Sequence, residues 1–371
     1  MCTVIFSETP TRNLLTVLEQ ANPFANRFML VLTIAVLLLI GWMLIFHAMT
    51  ASRYREMDRF KALITKNAEK AVNYPNLMAE NILPPVNNLF GKAHISALNE
   101  LLTTLEPESK NALKVLLSQL DCTSFISKGL DNKDNEEYLI DLMRIVGELG
   151  LKSLSDKITG LIKANRHNID IIFEALLALA RMNSSSQFLQ ICMDKKYTKN
   201  ISFRNLQEIV IAFTGNRETL YKKLLTAPDN YIIRICIKRI GAEEITALVP
   251  KIVQFLDSKN TNLIIDTLRT IGALKYSPAA NKVKRLLKHE HWEVRNAVVQ
   301  AIASIDVNKN IDPLVEALQD KEWFVRYNAG VALCSAKDFI TVRSKVGATN
   351  DKFAIEMLEY ISTMNELKGV V

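Results

Sequence analysis

The sequence has few residues of the kinds that make tight turns, with 12 glycines and 10 prolines among 371 residues. Sheet-rich folds need such residues at their many turns, so this scarcity disfavours β structure and favours long stretches of helix. Cysteine is scarce too, with five residues and no Cys-x-x-Cys pair. Because Cys192, Cys236 and Cys334 lie inside apolar runs, we predict reduced core thiols in a cytosol-facing domain rather than a disulfide framework.

Motifs of catalytic sites are also missing. The sequence contains no Gly-rich phosphate loop, no Gly-x-Ser-x-Gly and no His-Glu-x-x-His. The segment His289-Glu290-His291 offers two alternating ligands in a turn with no Cys or Asp pair nearby, which is too few for a zinc site. We therefore predict that the protein is not an enzyme, that it binds no metal or cofactor, and that it has no small-molecule substrate.

Apolar residues are abundant, at 49% of the chain, and charged residues make up 23%. This composition is sufficient for a large buried core and disfavours disorder. The formal net charge is +7. A charge of this size suits nucleic acid, anionic lipid or an acidic protein, and it does not distinguish between these partners.

Residues 28–52 contain no charged side chain, and their centre reads FMLVLTIAVLLLIGWMLIF. About 20 residues at 1.5 Å each cross the roughly 30 Å hydrocarbon core of a bilayer. The alternatives are a buried core helix, which rarely lacks a polar face over such a length, and a cleaved signal peptide, which has a shorter apolar run. We predict a retained transmembrane helix over 27–50 that follows a short N-terminal segment, residues 1–26, and meets the bilayer through residues 28–49.

The charges that flank this helix predict its orientation. Two basic residues, Arg12 and Arg27, precede the uncharged stretch 28–52, and six follow it between positions 53 and 70. Since basic residues favour the cytoplasmic side, we predict a single-pass protein of the cell membrane with its N-terminus outside and its C-terminal part in the cytoplasm. Residues 51–94 are predicted to form a juxtamembrane helix and a linker. The basic stretch either lies against anionic headgroups or continues as a solvated helix.

The C-terminal part contains an internal repeat of constant period. Three windows that start at equal intervals align without gaps: 255–273, 286–304 and 317–335. Within them Leu263, Val294 and Val325 coincide, and softer copies extend back to residue 136 and forward to residue 367. Each copy predicts a helix with one apolar face.

Shorter helices are predicted between these copies, over 244–256, 277–289 and 310–320. The unit is therefore a helix, a turn and a second helix, and one such pair cannot bury its apolar face without stacking on the next. The sequence thus predicts an all-α fold, with a right-handed α-solenoid of helix pairs over 136–371 and a helical cap over 95–135.

The segments HEHWEVRNAVVQAI (289–302) and DKEWFVRYNAGVAL (320–333) resemble the HEAT-repeat signature, in which an acidic turn is followed by Val-Arg and an Ala-rich helix. The resemblance implies antiparallel helix pairs, in an armadillo-like solenoid, whose second helices line a concave face. The chain departs from the signature at His289, where Asp is expected, and at Ile264, where Arg is expected.

The whole layout is similar to that of bacterial membrane-anchored HEAT-repeat proteins, some of which are encoded beside membrane glycosyltransferases. That similarity implies a membrane enzyme, such as a glycosyltransferase, as a partner.

Helical angles of about 100° per residue predict which side chains of the second helices face away from the core. With Val325 on the core side, Trp323 and Tyr327 fall on the opposite face. The same arithmetic gives nine residues for a concave, partner-binding face: Phe203, Gln207, Arg234, Lys238, Arg269, Trp292, Asn296, Trp323 and Tyr327. Aromatic, amide and cationic side chains are enriched where proteins bind partners. For the two tryptophans, packing on the neighbouring turn is the alternative interpretation.

Arg295 and Arg326 fall on the flank between repeats. We predict that they form a structural ladder with turn carboxylates such as Asp320, and ligand binding is the alternative. Together these features favour a membrane-tethered scaffold or adaptor that binds a protein, one associated with the membrane.

Two other functions are weighed against the scaffold. A nucleic-acid-binding HEAT protein is suggested by basic residues such as Lys284 and Arg285. These lie on a first helix and are predicted to face the convex side, and a membrane anchor disfavours a genomic role. A HEAT-fold enzyme is supported by no catalytic constellation.

Overall fold

The computed structural model describes residues 23–132 and 135–367, and over these ranges the chain consists of α-helices and short 3-10 turns without a β-strand. The predicted all-α class is thereby confirmed. The chain forms two compact units, residues 1–116 and 117–371. Most of the predicted N-terminal segment, residues 1–22, lies outside the described residues.

The first unit begins with one long helix, α1, from Pro23 to Asn73. Between Arg27 and Asn73 it contains an 18-residue window with a mean hydropathy of 2.8, none of it buried inside the protein. By length and composition α1 is able to cross a membrane. Because the window is fully exposed, it is not a core helix of this chain.

The C-terminal half of α1 is amphipathic, and it packs. Phe60, Ile64 and Ala68 are buried at every fourth position, which places them on one helical face. Helix α1 contacts helix α4, Ile95–Thr104, and the Phe60 ring stacks on the imidazole of His94, the residue before α4, at a centroid distance of 4.5 Å.

The segment between α1 and α4 is folded as well. It contains two single-turn helices, α2 over Ala79–Ile82 and α3 over Val86–Leu89, and both Leu89 and Phe90 are fully buried. The Asn67 amide of α1 donates a hydrogen bond to the carbonyl of Ile82. The stretch predicted as a linker therefore packs against the helix that precedes it.

The remaining helices follow in chain order: α5 Pro107–Gln119, α6 Thr123–Gly129, α7 Glu136–Leu149, α8 Ser155–Ala164, α9 Ile169–Arg181, α10 Ser185–Cys192, α11 Lys195–Thr198, α12 Phe203–Ile211, α13 Arg217–Leu224, α14 Asn230–Ala242, α15 Val249–Ile252, α16 Thr261–Ala273, α17 Ala280–Arg285, α18 Trp292–Asp306, α19 Ile311–Leu318, α20 Trp323–Cys334, α21 Phe339–Ala348 and α22 Lys352–Leu367. From α6 onward they form pairs. The second helices of the pairs are α7, α9, α12, α14, α16, α18, α20 and α22, and they pack on one another in sequence.

The constant period of the repeat is visible in the positions where second helices begin. Helices α14, α16, α18 and α20 start at equal intervals along the chain, at Asn230, Thr261, Trp292 and Trp323. The aligned residues Leu263, Val294 and Val325 are all buried. Each helix thus presents the same apolar face to the core, and stacking of the pairs covers it.

Glycine allows neighbouring second helices to approach closely at two places. A Cβ on Gly147 of α7 would lie 2.9 Å from the Cα of Ala178 in α9, and one on Gly272 of α16 would lie 3.0 Å from the Cα of Ala301 in α18. Carbon atoms in contact prefer about 3.5–4.0 Å. A larger residue at either position would separate the two helices.

The first helices are less regular than predicted. The segments predicted as helices over 244–256 and 277–289 each consist of a few α-helical residues with 3-10 turns on both sides. A 3-10 turn tightens a helix end and is usual in short helices. In these two pairs the first helix is therefore short, and the second helix, α16 or α18, is long.

Candidate functional site

Five consecutive second helices, α12, α14, α16, α18 and α20, carry the nine residues predicted to bind a partner. None of the nine is buried: Lys238, Arg269 and Trp323 are exposed, and the other six are partly exposed. We refer to the accessible side chains of these five helices as the second-helix face. It contains two groups of different chemistry, one charged and one aromatic.

The charged group lies where α12, α14 and α16 meet. The Arg234 guanidinium donates from Nε to the Asp266 Oδ2 atom over 2.7 Å, and the Lys238 ammonium lies 3.6 Å from Oδ1 of the same carboxylate. Both cations also lie over the Phe203 ring, at 5.1 and 5.3 Å from its centroid. The aromatic face adds attraction for the two positive charges, so the group joins three consecutive repeats.

Asp266 itself was not predicted from the sequence as a site residue. Its carboxylate is buried, and a buried charge needs a partner to avoid a large desolvation cost. The pairing holds Arg234 in place, whereas Arg269, one turn further along α16, is exposed and has no ion pair within the described residues. Arg269 is the cation of this group that is free to meet a partner.

The aromatic group lies on α18 and α20. The Trp292 ring stacks on the Phe324 ring at 5.6 Å, Phe324 meets Trp323 edge to face at 5.3 Å, and Trp323 stacks on Tyr327 at 4.9 Å. Phe324 was missed by the angular prediction, although it joins the aromatic residues of two repeats. Trp323 and Phe324 keep 46% and 55% of their surface exposed, so the group presents aromatic area to solvent.

Amide side chains continue the contact between α18 and α20. The Asn328 Nδ2 atom donates to Oδ1 of Asn296 over 2.8 Å. Asn296 is one of the predicted contact residues, and its carbonyl oxygen is thus partly used within the fold. An equivalent polar contact links α7 and α9, where Arg144 donates to the buried Glu174 carboxylate over 2.6 Å.

Beyond α20, a cleft of about 360 Å³ opens between this helix and α22 and is lined by Trp323, Arg326, Phe353, Glu356, Met357 and Tyr360. The Arg326 guanidinium lies 5.7 Å from the centroid of the Phe353 ring. Phe353 and Tyr360 are exposed. The aromatic surface of the second-helix face thus extends to the last helix, beyond the residues predicted from the sequence.

Arg295 forms a bidentate ion pair with Asp320. Its Nε and Nη2 atoms donate to the two carboxylate oxygens over 2.6 and 2.8 Å, and its Nη1 atom donates to the carbonyls of His289 and Glu290 over 2.8 and 3.0 Å. The hydrogen bond to Asp320 raises the pKa of Arg295. Burial acts to raise the pKa of Asp320, but the hydrogen bonds from Arg295 and the Glu322 N–H together hold it below its ordinary value.

Arg326 behaves differently from Arg295, its counterpart one repeat earlier. Its Nη1 atom donates to the carbonyls of Asp320 and Lys321 over 2.7 and 3.0 Å, rather than to the Asp320 carboxylate. Its Nε atom is buried without a hydrogen-bond partner in the described part of the chain. The two arginines thus hold the turns before α18 and α20 in the same way, and one of them also joins two repeats.

No group of three or more His, Cys, Asp or Glu side chains able to hold a metal ion occurs over residues 23–132 and 135–367. The cysteines Cys192 and Cys236 are fully buried. Burial raises the pKa of Cys192 to about 12 and that of Cys236 well above its ordinary value. These two thiols are therefore protonated at neutral pH and unreactive.

The comparisons with known proteins agree with the repeat. Residues 249–334 match the sequence model of the family described as HEAT repeats. The matched segment begins with α15 and ends with α20, so it covers three complete helix pairs. The chain thus contains HEAT repeats over this segment, as the resemblance implied, and the helix pairs of the second unit fit an α-solenoid.

No curated protein matches the sequence. Among solved structures, the chain is similar to an engineered protein from the Northeast Structural Genomics Consortium, with 16% sequence identity over 83% of this chain and 98% of the other. The TM-score of that pair is 0.35, and at this level the similarity adds nothing to what the repeats themselves establish.

Proposed function

We propose that the protein is a non-catalytic scaffold, tethered to the cell membrane by α1, that binds a protein partner through the second-helix face. HEAT-repeat solenoids are typical protein-interaction scaffolds, since stacked helix pairs create an extended binding surface. In this proposal the N-terminus lies outside and the solenoid in the cytoplasm, because the basic residues that flank the uncharged stretch 28–52 of α1 are concentrated on its C-terminal side.

The observation that carries the proposal is the exposed aromatic group of Trp292, Trp323, Phe324 and Tyr327. Aromatic side chains that remain exposed while stacking on each other are rigid, so little entropy is lost when a partner covers them. The charged group at Arg234, with Arg269 beside it, adds polar contacts at the other end of the same face. Aromatic side chains together with arginine are enriched in protein interfaces.

The proposed anchor favours a partner that is itself in the membrane. Tethering confines both proteins to two dimensions and raises the effective concentration of one for the other, so a moderate affinity of the second-helix face is sufficient. The resemblance to bacterial membrane-anchored HEAT-repeat proteins favours a membrane enzyme, such as a glycosyltransferase, as this partner.

The test is crosslinking of the full chain in its native membranes, followed by identification of the crosslinked protein. We expect a membrane protein to be captured by the unchanged chain and to be lost from the double variant Trp323→Ala and Phe324→Ala. Truncation of hot-spot aromatics typically costs more than about 2 kcal/mol each, so the loss should be nearly complete. Circular dichroism should show unchanged helicity, because both side chains are exposed.

A matched control removes two exposed apolar side chains from elsewhere in the molecule. Tyr74→Ala and Ile340→Ala, at residues that are 67% and 84% exposed, should leave the crosslink unchanged. If both double variants capture the same protein equally well, the second-helix face is not the binding surface. Cleavage of residues 95–371 by a protease added outside intact cells would contradict the proposed orientation.

A nucleic-acid-binding function is favoured by one observation, the cationic side chains that accumulate on the first helices. Binding of this kind would show as retention of the full chain on DNA that weakens steeply as salt is raised. The second-helix face does not favour it, because Arg234 and Lys238 are already paired with Asp266.

A further inference from the structure

We propose that the outer face of three consecutive first helices, α13, α15 and α17, docks on an anionic lipid surface. The proposal rests on the membrane tether proposed above and adds a second contact between the protein and the membrane. It concerns the layer opposite to the second-helix face, so partner binding and lipid binding use different sides of the repeats.

Charge is concentrated on these three segments. Eight basic and two acidic side chains lie in residues 217–224, 249–257 and 280–288. The formal charge of these segments is therefore +6, and that of the whole chain is +7. The second helices of the same pairs, over 230–242, 261–273 and 292–306, contain five basic and three acidic side chains. Within these three repeats the net positive charge therefore lies mainly on the layer of first helices.

Most of the cations on the first helices are available. Lys222, Lys223, Lys251, Lys284 and Arg285, which we name the basic face, have no ion pair within residues 23–132 and 135–367, and all but the half-buried Lys284 are exposed. On the second helices of the same pairs, four of the five cations lie in ion pairs, for example Arg295 with Asp320, and Arg269 is the exception. The basic face is thus unpaired, while most cations of the other layer are paired.

The chemistry of the basic face suits a membrane surface. Four of its five residues are lysines, which act as point charges and do not need a partner of fixed geometry. Tyr221, the aromatic residue beside Lys222, is fully buried, and the three segments expose no large apolar side chain. Phe255, the other aromatic residue of the three segments, is half-buried. The face therefore exposes no aromatic platform of the kind on which nucleobases stack, whereas the cytoplasmic leaflet presents a diffuse negative charge.

The strength of the contact follows from the number of charges. Each basic residue near an anionic surface strengthens binding by roughly fivefold. Removal of five charges should therefore weaken binding by more than about tenfold, even when only some of them reach the surface. Added salt should weaken the contact as well, since exposed charges are screened.

The first experiment places the full chain in nanodiscs of phosphatidylcholine, with or without phosphatidylglycerol, and measures lysine acetylation by mass spectrometry. We expect Lys222, Lys223, Lys251 and Lys284 to be acetylated several-fold more slowly in discs that contain phosphatidylglycerol, and salt to remove this protection. Turn lysines such as Lys275 and Lys337 should react equally in both discs. Equal acetylation of the basic face in both discs overturns the proposal.

The second experiment measures the affinity of the nanodisc-held chain for added phosphatidylglycerol vesicles. The variant with Lys222, Lys223, Lys251, Lys284 and Arg285 changed to Gln should bind more than about tenfold more weakly. A control with the same loss of charge, at the exposed turn residues Lys152, Arg166, Lys275, Lys321 and Lys337, should bind like the unchanged chain. Equal weakening in both variants would mean that only net charge matters, and the proposed face would be wrong.

The outcomes separate this proposal from the proposed function. If the chain inserts into neither disc, the tether fails, and vesicle binding of the chain held in amphipol still tests the basic face. If a DNA duplex protects the basic-face lysines and phosphatidylglycerol does not, the face binds nucleic acid and the lipid proposal is wrong. Capture of a partner by the second-helix face is affected by none of these results.

Discussion

The turns that precede α16 and α18 occupy the same place in consecutive repeats, yet different side chains hold them. Before α16, the Asn260 side chain accepts a hydrogen bond from the Leu263 N–H over 3.1 Å and so caps the helix. Before α18, His291 forms no such cap. There the Arg295 Nη1 atom reaches back and donates to the carbonyls of His289 and Glu290.

One hydrogen bond is common to both turns. The side chain two positions before the capping residue accepts from the main chain in each: Ser258 from the Asn260 N–H over 3.0 Å, and His289 from the His291 N–H over 3.1 Å. His289 thus does what Asp320 does one repeat later, where the Glu322 N–H donates to the Asp320 carboxylate over 2.9 Å. His289 departs from the HEAT-repeat signature, in which Asp is expected, but its side chain still accepts the hydrogen bond from the main chain. It does not supply the negative charge of an aspartate.

The two turns differ in how far along the chain their stabilising contacts reach. The Asn260 cap is local, and it stabilises only the helix that it begins. Arg295 holds its own turn and also binds Asp320 of the next repeat, in a pair whose side chains are only 7% and 10% exposed. The Val-Arg turn before α18 therefore couples one repeat to the next, while the Asn260 cap before α16 stabilises only its own helix.

The largest expected effect comes from breaking the long-range contact with Asp320→Ala. The change leaves the Arg295 guanidinium buried without its counter-charge, which typically costs about 3–5 kcal/mol. Urea unfolding of the detergent-solubilised full chain, followed by circular dichroism, should show this loss in the free energy of unfolding. Asp312→Ala is the control, because the exposed pair of Asp312 with Lys345 should contribute less than about 1 kcal/mol. Equal losses in the two variants would show that the buried pair does not couple the repeats.

The features that could be predicted from the sequence are those set by residues close together in the chain, and the features that were missed depend on contacts between repeats. The helical period and the core positions Leu263, Val294 and Val325 depend on local spacing, so the sequence predicts them well. The ring of Phe324 was not predicted because its place is set by Trp292, a residue of the previous repeat. The cleft that includes Phe353 was missed for the same reason.

Arg326 shows a second limit of sequence reasoning. Helical angles predict a flank position for Arg326, but they do not decide between a carboxylate and a carbonyl as its acceptor. Asp320 is already engaged by Arg295, so Arg326 uses the main-chain oxygens of the same turn. Competition of this kind depends on side chains in two repeats and has no signature in either one.

The next prediction tests whether the ion pair that couples two repeats can be introduced one repeat earlier. Ile264 is the counterpart of Arg295 one repeat earlier and is 2% exposed. His289 stands at the same distance along the chain from Ile264 as Asp320 does from Arg295. Ile264→Arg alone should destabilise the protein, because the charge is buried without a partner. Adding His289→Asp should recover about 2 kcal/mol in a double-mutant cycle of urea unfolding.

The control for this cycle is His289→Asn, which retains an acceptor for the His291 N–H and supplies no charge. Combined with Ile264→Arg, it should give a coupling energy close to zero. A coupling energy that is the same with Asn as with Asp would indicate that the recovery is due to shape alone, and the transplanted pair would not have formed.

A smaller effect is expected at the local cap. Asn260→Ala should cost about 1 kcal/mol, the usual value for loss of an N-cap, and Asn260→Asp should cost nearly nothing. The matched position in the next repeat is His291, whose side chain forms no cap, so His291→Ala should change the free energy of unfolding much less than Asn260→Ala. If the two alanine variants lose the same free energy, the distinction between the two kinds of turn is wrong.

The smallest expected effect is a difference in how the contributions of the two turns to the free energy of unfolding depend on pH. The folded-state pKa of Asp320 lies below its ordinary value of 3.8, so the Asp320 carboxylate contributes stability that is fully present above 3.8 and is lost as the pH falls through the folded-state pKa. The difference in unfolding free energy between the unchanged chain and Asp320→Asn should therefore shrink on acidification. The Asn260 cap is neutral, so the corresponding difference for Asn260→Ala should stay constant. Urea titrations at neutral and acid pH measure both, and a pH-independent difference at Asp320 would mean that its charge does not stabilise the contact between the repeats.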